Sequence, residues 1–194
     1  MTNPNESSYR NITLNDVQLA SAYYPILIDL AKHKHCLTYS ELVERAKAEY
    51  PNNKTVQNAI AVSTGRKLDV VRLFTSERGM PDLSSLIINK SRGECGLGFT
   101  KSFDPIEARE KVFAFDWNTA ITDFDGFINY TKKAITPRKR IKRNPALIMM
   151  SEFYNTHKAQ FAPSIVEKRE LIIEMIMEGF SAADAFAQAS KDTE

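Results

Sequence analysis

The amino-acid sequence predicts a mainly α-helical protein with a small β-hairpin: an N-terminal winged helix-turn-helix followed by a helical C-terminal region. Apolar residues recur at intervals of three and four over most of the 194 residues, as they do on the buried faces of helices. Residues 79–100 are instead rich in glycine, serine and β-branched residues. Because this stretch follows three helical segments, the order of elements is that of a winged helix.

The first two predicted helices begin at recognisable capping residues. Asn15 or Asp16 caps the first helix, and Pro25 inside it predicts a kink or a division into two shorter helices. The second helix begins at a T-x-x-E motif, in which Thr38 and Glu41 form a capping box. A Pro-Asn-Asn-Lys sequence then ends this helix.

The third helical segment and the hairpin follow. Residues 55–78 are predicted to be helical, and Gly65 divides them because glycine costs about 1 kcal/mol inside a helix. Residues 83–88 and 94–99 are predicted as the two strands of the hairpin, joined by a turn at 89–93 that contains a glycine. Two strands alone are marginally stable, so the hairpin is expected to pack on the preceding helices.

The rest of the chain is predicted to be helical on both sides of a linker. Asp104 and Pro105 are a favoured pair at a helix start. Three more helices are predicted at about 146–160, 164–178 and 181–190. The predicted organisation is a flexible N-terminus at 1–11, a winged helix at 12–103, supporting helices at 104–133, a basic linker at 134–145 and a helical C-terminal region at 146–194.

The composition is that of an ordinary globular protein, with 43% hydrophobic and 26% charged residues. No apolar run approaches the ~20 residues that span a bilayer, and the N-terminus lacks the basic-then-apolar order of a secretion signal. Cys36 and Cys95 form no disulfide framework, which fits a reducing compartment. A cytoplasmic protein without membrane contact is therefore expected.

The distribution of charge indicates an anionic partner, although the net charge is only +2. Seven cations occur between 132 and 143 without an acidic residue, and the third helix mixes cations with hydroxyls. Arg and Lys bind phosphates and guanine edges, and Ser and Thr suit either. The predicted nucleic-acid-binding residues are Ser63, Thr64, Arg66, Lys67, Arg72, Lys90, Arg92, Lys132, Lys133, Arg138, Lys139, Arg140, Lys142 and Arg143.

Part of the sequence resembles the DNA-binding domain of O6-alkylguanine-DNA alkyltransferases and alkyltransferase-like proteins. The resemblance covers about residues 37–99 and rests on LTYSELVERA, a third helix, and MPDLSSLIINKSRGECGLGF. That family has a T-Y-x-E-L-A helix, a recognition helix, a proline-led segment and a glycine-rich end. Its reactive site is a P-C-H-R segment, where this chain has PDLSSLIINK, without Cys or His. The resemblance implies a winged-helix fold and DNA contact, and does not imply alkyl transfer.

Metal and catalytic sites have less support in the sequence. His33, His35 and Cys36 lie close together, but structural zinc needs four converging ligands, so a surface loop is favoured. Cys95 has Glu94 and glycines as neighbours and no adjacent base to activate it as a nucleophile. No cofactor is expected.

An aromatic group and four methionines each allow two interpretations. The aromatic residues form either a base-stacking platform or, as their helical spacing favours, part of the core: Phe113, Phe115, Trp117, Phe124, Phe127 and Tyr130. The methionines form either a soft partner-binding surface or the core of a small bundle, which is favoured: Met149, Met150, Met175 and Met177.

The leading hypothesis is a non-enzymatic protein that binds double-stranded DNA through the third helix, the wing and the basic linker, as a bacterial or phage regulator would. Dimerisation or a partner contact is assigned to the C-terminal helices. The alternative is a protein-interaction module, such as a phage-encoded inhibitor or adaptor that binds host machinery. A nuclease or repair accessory is a third hypothesis, disfavoured because no metal-binding carboxylate set is evident.

Overall fold

Helices account for most of the computed structural model, which describes residues 11–100, 103–118, 123–135 and 137–191. The mainly α-helical fold class is confirmed. The chain divides into two compact units, Met1–Thr136 and Pro137–Glu194. The division falls inside the range 134–145 that the sequence predicts as a linker. The predicted flexible N-terminus, apart from Asn11, lies outside the described residues.

The first unit is built around a long central helix, α1 (Leu14–His33), which packs against α4 (Thr64–Glu77) and α7 (Phe124–Ala134). An aromatic cluster fills this core: the Tyr24 and Phe124 rings stack with centroids 3.9 Å apart, and Phe74 meets both rings edge-on. The elements, in chain order, are α1 (Leu14–His33), β1 (Leu37–Thr38), α2 (Tyr39–Glu49), α3 (Lys54–Gln57), a 3-10 helix (Ala61–Ser63), α4 (Thr64–Glu77), a 3-10 helix (Leu83–Leu86), β2 (Ile87–Ile88), α5 (Leu97–Thr100), α6 (Pro105–Ala114) and α7 (Phe124–Ala134).

The start of α1 differs from the prediction by a few residues. Thr13 is the cap, instead of Asn15 or Asp16: its Oγ1 accepts a hydrogen bond from Asp16 N at 3.1 Å. The Asp16 carboxylate in turn accepts one from Thr13 N at 3.0 Å, which completes a capping box. The helix then continues through Pro25 as one element, so the predicted division into two helices is wrong.

Two other predicted helix starts are confirmed. Thr38 N donates to Glu41 Oε2 at 2.7 Å in the capping box of α2. Asp104 Oδ1 accepts from the backbone N–H groups of Ile106 and Glu107 at the start of α6, with Pro105 as the first helical residue. The third helical segment is divided as predicted, but at residues 58–60 and not at the predicted glycine, which lies in the first turn of α4.

The predicted hairpin strands at 83–88 and 94–99 are wrong in extent. The Asp82 side chain accepts from Ser84 N, which starts a 3-10 helix and leaves only Ile87–Ile88 as strand. This strand pairs in parallel with β1, in the register Leu37 with Ile87. The return segment makes a single antiparallel bridge, between Asn89 and Glu94, and then enters α5.

The second unit is a small helical assembly with its own core. Phe186 is buried in this core, and the partly buried rings of Phe153 and Phe161 pack against it with centroids 5.2 and 4.8 Å away. Residues 137–142, predicted as part of a linker, pack onto this unit through a hydrogen bond from Ile141 N to Met177 O at 3.0 Å. The elements are α8 (Arg143–His157), 3-10 helices at Lys158–Gln160 and Pro163–Lys168, α9 (Arg169–Met177) and α10 (Ala182–Lys191).

Among the described residues, no helix has the length and apolar character that crossing a membrane requires.

Candidate nucleic-acid interface

The polar residues at the start of α4, predicted to contact DNA, are mostly inside the first unit. Ser63, Thr64 and Lys67 are 1%, 0% and 1% exposed. The Thr64 hydroxyl bonds the Ile60 carbonyl at 3.3 Å, and Lys67 Nζ donates to Ser63 Oγ at 2.8 Å. Side chains buried to this degree have no surface to present to a base edge or a phosphate.

The buried carboxylate of Asp16, on α1, forms ion pairs with Arg66 and Lys67. Asp16 is 2% exposed, and its Oδ2 accepts from Arg66 Nη2 at 2.6 Å while its Oδ1 lies 3.4 Å from Lys67 Nζ. Burial by itself raises the pKa of Asp16, but the charges of Arg66 and Lys67 outweigh burial and hold the pKa below its usual range. The carboxylate therefore stays ionised and neutralises cations that the sequence assigns to DNA.

This charged group also excludes a nucleophile at Ser63. A serine with a lysine four residues later on a helix, at 2.8 Å, has the spacing of a nucleophile and its base. Both side chains are 1% exposed, however, so no substrate could reach the Ser63 hydroxyl, and Lys67 Nζ also lies 3.4 Å from the Asp16 carboxylate. The pair consequently belongs to the packing of α4 on α1.

Arg72 is also engaged inside the first unit. Its guanidinium donates to Asp82 Oδ2 at 2.8 Å and to Ser84 Oγ at 3.1 Å, and it lies over the ring of Phe99 at 5.0 Å. Asp69 is a further ion partner at 3.6 Å. Arg72 thus joins α4 to the segment before β2, and its role in reading bases stays a prediction.

The loop from Asn89 to Glu94, by contrast, presents available cations. Asn89 N donates to Glu94 O at 2.7 Å, and Asn89 Oδ1 accepts from Ser91 N at 2.9 Å, which closes a tight turn. Gly93, at φ +65°, completes it. Lys90 and Arg92 are exposed at the tip, and within the described part of the chain neither has a carboxylate within ion-pair distance.

Arg109 on α6 fixes the base of this loop. Its Nε donates to the Ser85 carbonyl at 3.1 Å, and its Nη2 bonds the Glu94 carboxylate. The same Ser85 carbonyl accepts from Cys95 Sγ at 3.3 Å. The sequence pattern gives no indication of Arg109, because its partners lie 15 and 24 residues away.

Burial makes Cys95 a poor nucleophile. Cys95 is 2% exposed, and burial raises the pKa of its thiol to about 11, against a weaker opposing effect of Arg109. Cys36 is half-buried, and burial raises its pKa as well. The two thiols are nevertheless expected to differ in reactivity, because only Cys36 is accessible to a reagent.

We expect iodoacetamide at pH 8 to modify Cys36 well before Cys95 in the folded protein. With a pKa of about 11, roughly a thousandth of Cys95 is thiolate at that pH. Labelling of Cys95 should be at least about tenfold slower in native protein than in urea, as measured by peptide mass spectrometry over time. Equal rates for the two cysteines in native protein would contradict the burial described.

The basic segment, residues 137–143, lies along the second unit with part of its charge neutralised. Arg138 lies over the Phe180 ring at 4.1 Å. Arg140 pairs with Glu178 and Arg143 with Glu170, each at 2.7 Å. The cations that are exposed and have no carboxylate within 4.0 Å among the described residues are Lys139 and Lys142 in this segment, and Lys132 and Lys133 at the end of α7.

The aromatic residues that the sequence analysis singled out differ in burial. Trp117, Phe124 and Phe127 are buried in the first unit, as the core interpretation predicts, whereas Tyr130 is 60% exposed. The methionines divide similarly: Met150 and Met175 are buried, and Met149 is 39% exposed. His33 and His35 are exposed, and among the described residues no three His, Cys, Asp or Glu side chains converge as metal ligands.

Comparisons of this chain with protein-family models, with curated proteins and with solved structures found no match. The resemblance of residues 37–99 to the alkyltransferase DNA-binding domain stays a prediction.

Proposed function

We propose that this protein is a non-enzymatic DNA-binding protein that binds the phosphate backbone through exposed lysines and arginines outside helix α4. The observation that carries this proposal is that some of the predicted cations are paired with carboxylates and others are not. Those on α4 are neutralised by carboxylates of the first unit. Six others are exposed and have no carboxylate within 4.0 Å in the described ranges: Lys90, Arg92, Lys132, Lys133, Lys139 and Lys142.

The basic segment is well suited to this task because its backbone is held in place. Ile141 packs on the second unit and bonds Met177 O, while Lys139 and Lys142 on either side of it are exposed. Cations on a fixed backbone lose less conformational entropy on binding than cations on a flexible arm. Each phosphate that such a cation neutralises releases counterions, so affinity depends on salt.

The winged-helix interpretation of the first unit is part of the same proposal. Helices α1, α2 and α4, with the short α3 between the last two, precede an exposed loop with Lys90 and Arg92 at its tip. A loop in this position would contact the backbone beside a groove, as a wing does. The parallel pairing of β2 with β1, however, differs from the antiparallel strand pair expected of the wing.

Charge reversal in the basic segment tests the proposal. We expect K139E/K142E to weaken binding to duplexes of unrelated sequence by the same factor. The salt slope should fall by about 1.8, which is about 0.9 for each phosphate that the two lysines no longer neutralise. The measurement is fluorescence anisotropy of a labelled duplex at salt concentrations from about 50 to 200 mM. K90E/R92E tests the loop in the same way.

The matched control is K32E/K54E, which makes an equal change in net charge at exposed lysines of the first unit. This control is expected to retain most of the affinity. If wild-type protein shows no salt-dependent affinity for DNA, or if the control weakens binding as much as K139E/K142E, the proposal is wrong.

A protein-interaction module is a second proposal, supported by apolar residues on the surface of the second unit. Ile148 and Met149 on α8 are 57% and 39% exposed, and Val166 is 57% exposed. We expect a partner bound here to stay bound after nuclease treatment and to be lost from I148E/M149E. Binding that vanishes with nuclease in wild-type protein counts against this alternative and favours the DNA-binding function.

A further inference from the structure

We infer that Glu178 and Phe180 are positioning residues for DNA binding, which bind Arg140 and Arg138 and thereby fix the basic segment. The inference rests on the proposed function and assigns different roles to neighbouring cations that the sequence predicts as one DNA-binding group. The two arginines bind the second unit of the protein itself, and the lysines beside them bind phosphates.

The basic segment runs along the turn at residues 177–180, where α9 ends. Gly179, at φ +90°, ends this helix in a Schellman motif, in which Phe180 N donates to Met175 O at 3.1 Å. Successive residues of the segment lie against successive residues of the turn in reverse order: Arg138 against Phe180, Lys139 against Gly179, Arg140 against Glu178, and Ile141 against Met177. The segment and the turn are therefore matched in a single register over their whole contact.

The anchor at Arg140 is an ion pair with a buried carboxylate. Arg140 Nη2 lies 2.7 Å from Glu178 Oε1, and the Glu178 side chain is 7% exposed whereas that of Arg140 is 66% exposed. Removing one partner of such a pair is costly because a charge is left buried, so Arg140 cannot leave Glu178 for a phosphate without that cost. Although Arg140 is an exposed cation in a basic segment, its charge stays on the protein.

The anchor at Arg138 is a contact with an aromatic ring. Its guanidinium lies 4.1 Å from the centroid of Phe180, which is 6% exposed. Between the two anchors the backbone passes so close to Gly179 that a Cβ there would lie 2.7 Å from the Lys139 carbonyl oxygen. Lys139 is exposed, as is Lys142 beyond the second anchor. Because the backbone is fixed on both sides of Lys139, this lysine loses less conformational entropy when it binds a phosphate.

The ion pair of Arg143 with Glu170 is a matched comparison in the same unit. Its distance is also 2.7 Å, but the Glu170 side chain is 40% exposed and Arg143 is the first residue of α8. The backbone of Arg143 is fixed by its place in the helix. Removing the Glu170 charge therefore releases a cation but no backbone, whereas removing the Glu178 charge releases both.

The first test is fluorescence anisotropy of a labelled duplex at about 50 mM salt, for wild type, E178Q and E170Q. Both substitutions remove one negative charge near the basic segment, which by itself favours binding of a polyanion. We nevertheless expect E178Q to bind the duplex about 5- to 30-fold more weakly than wild type, which is the cost of fixing the backbone of one residue again. E170Q should bind as tightly as wild type or more tightly.

The neighbours Lys139 and Arg140 distinguish a phosphate contact from an anchor. We expect K139A to lower the salt slope by about 0.9, and R140A to lower the affinity while the slope stays unchanged. E178Q in the R140A background should cause no further loss, because Glu178 acts through Arg140. If R140A lowers the slope as K139A does, or if E178Q binds as E170Q does, the positioning roles are wrong and the proposed function stands.

Hydrogen exchange of the Ile141 amide measures the anchoring without DNA. This amide donates to Met177 O at 3.0 Å, so its exchange reports whether the segment lies on the turn. We expect exchange about tenfold faster or more in E178Q than in wild type or E170Q, since a hydrogen bond to a charged group is lost. Equal exchange in the three proteins would show that Glu178 does not fix the segment. If wild type has no salt-dependent affinity for DNA, the proposed function fails, and with it this role in DNA binding.

Discussion

Replacing Asp16 by alanine is expected to lower the free energy of unfolding by about 3–5 kcal/mol, which is the usual cost of removing one partner of a buried ion pair. The variant removes the carboxylate that Arg66 and Lys67 both face, and Lys67 is 1% exposed. It also removes half of the capping box at the start of α1. Urea unfolding followed by circular dichroism measures the change.

The Asp16 carboxylate also makes the stability of the protein depend on pH. Because the pKa of Asp16 in the folded protein lies below its unfolded value of about 3.9, the ion pair contributes its full stability above that pH. The contribution is lost as the pH falls through the folded pKa. We expect D16N, which keeps the shape and removes the charge, to be less stable at pH 7 and to show a flatter loss of stability below pH 4.

Asp29 is the matched control for this prediction. It pairs with Arg45 at 2.6 Å on the other end of the same helix, but its side chain is 44% exposed. Exposed ion pairs contribute about 0–1 kcal/mol, so D29A should unfold at nearly the wild-type urea concentration. Equal losses of stability for D16A and D29A would show that burial of Asp16 does not govern its contribution.

What the sequence predicts well are features that depend on neighbouring residues. The capping box of α2 joins Thr38 to Glu41, three residues apart, and its motif alone locates the start of the helix. The same holds for Asp104 and Pro105 at α6. The helical fold class follows from the apolar periodicity, which needs no knowledge of distant partners.

Helix α4 shows what a local sequence pattern cannot predict. Arg66 and Lys67 have the composition of a DNA-reading helix face, but their charge is neutralised by Asp16, 50 residues earlier in the case of Arg66. No local pattern reveals such a partner. The signal in the sequence is Thr-x-x-Asp at 13–16, which marks Asp16 as a first-turn acid without indicating that it is buried.

The predicted hairpin is too long for a related reason. β-branched and apolar residues at 83–88 favour strand, yet the Asp82 cap and the burial of Leu83 and Leu86 stabilise a 3-10 turn there. After the turn, Glu94 and Cys95 bond Arg109 and Ser85 instead of extending a ladder. Because Arg109 comes from α6, a prediction from the local pattern of the strand could not include it.

Replacing Gly179 by alanine is expected to lower the stability of the second unit by about 2–5 kcal/mol and to weaken DNA binding. Gly179 has φ +90°, a backbone conformation that costs a residue with a side chain about 1–2 kcal/mol. An added Cβ would lie 2.7 Å from the Lys139 carbonyl oxygen and 2.8 Å from Arg138 Cβ, so overpacking adds about 1–3 kcal/mol. Relief of this clash requires the basic segment to move away.

Trypsin digestion distinguishes a displaced segment from a general loss of stability, since Lys139, Arg140 and Lys142 are cleavage sites. In G179A we expect cleavage within 138–143 to be faster than in wild type, together with lower DNA affinity. The control is G65A, where an added Cβ meets no atom within 4 Å and should stabilise α4 by about 0.5–1 kcal/mol. If G179A is destabilised and cleaved faster but binds DNA as wild type does, a fixed backbone is not what makes the basic segment bind.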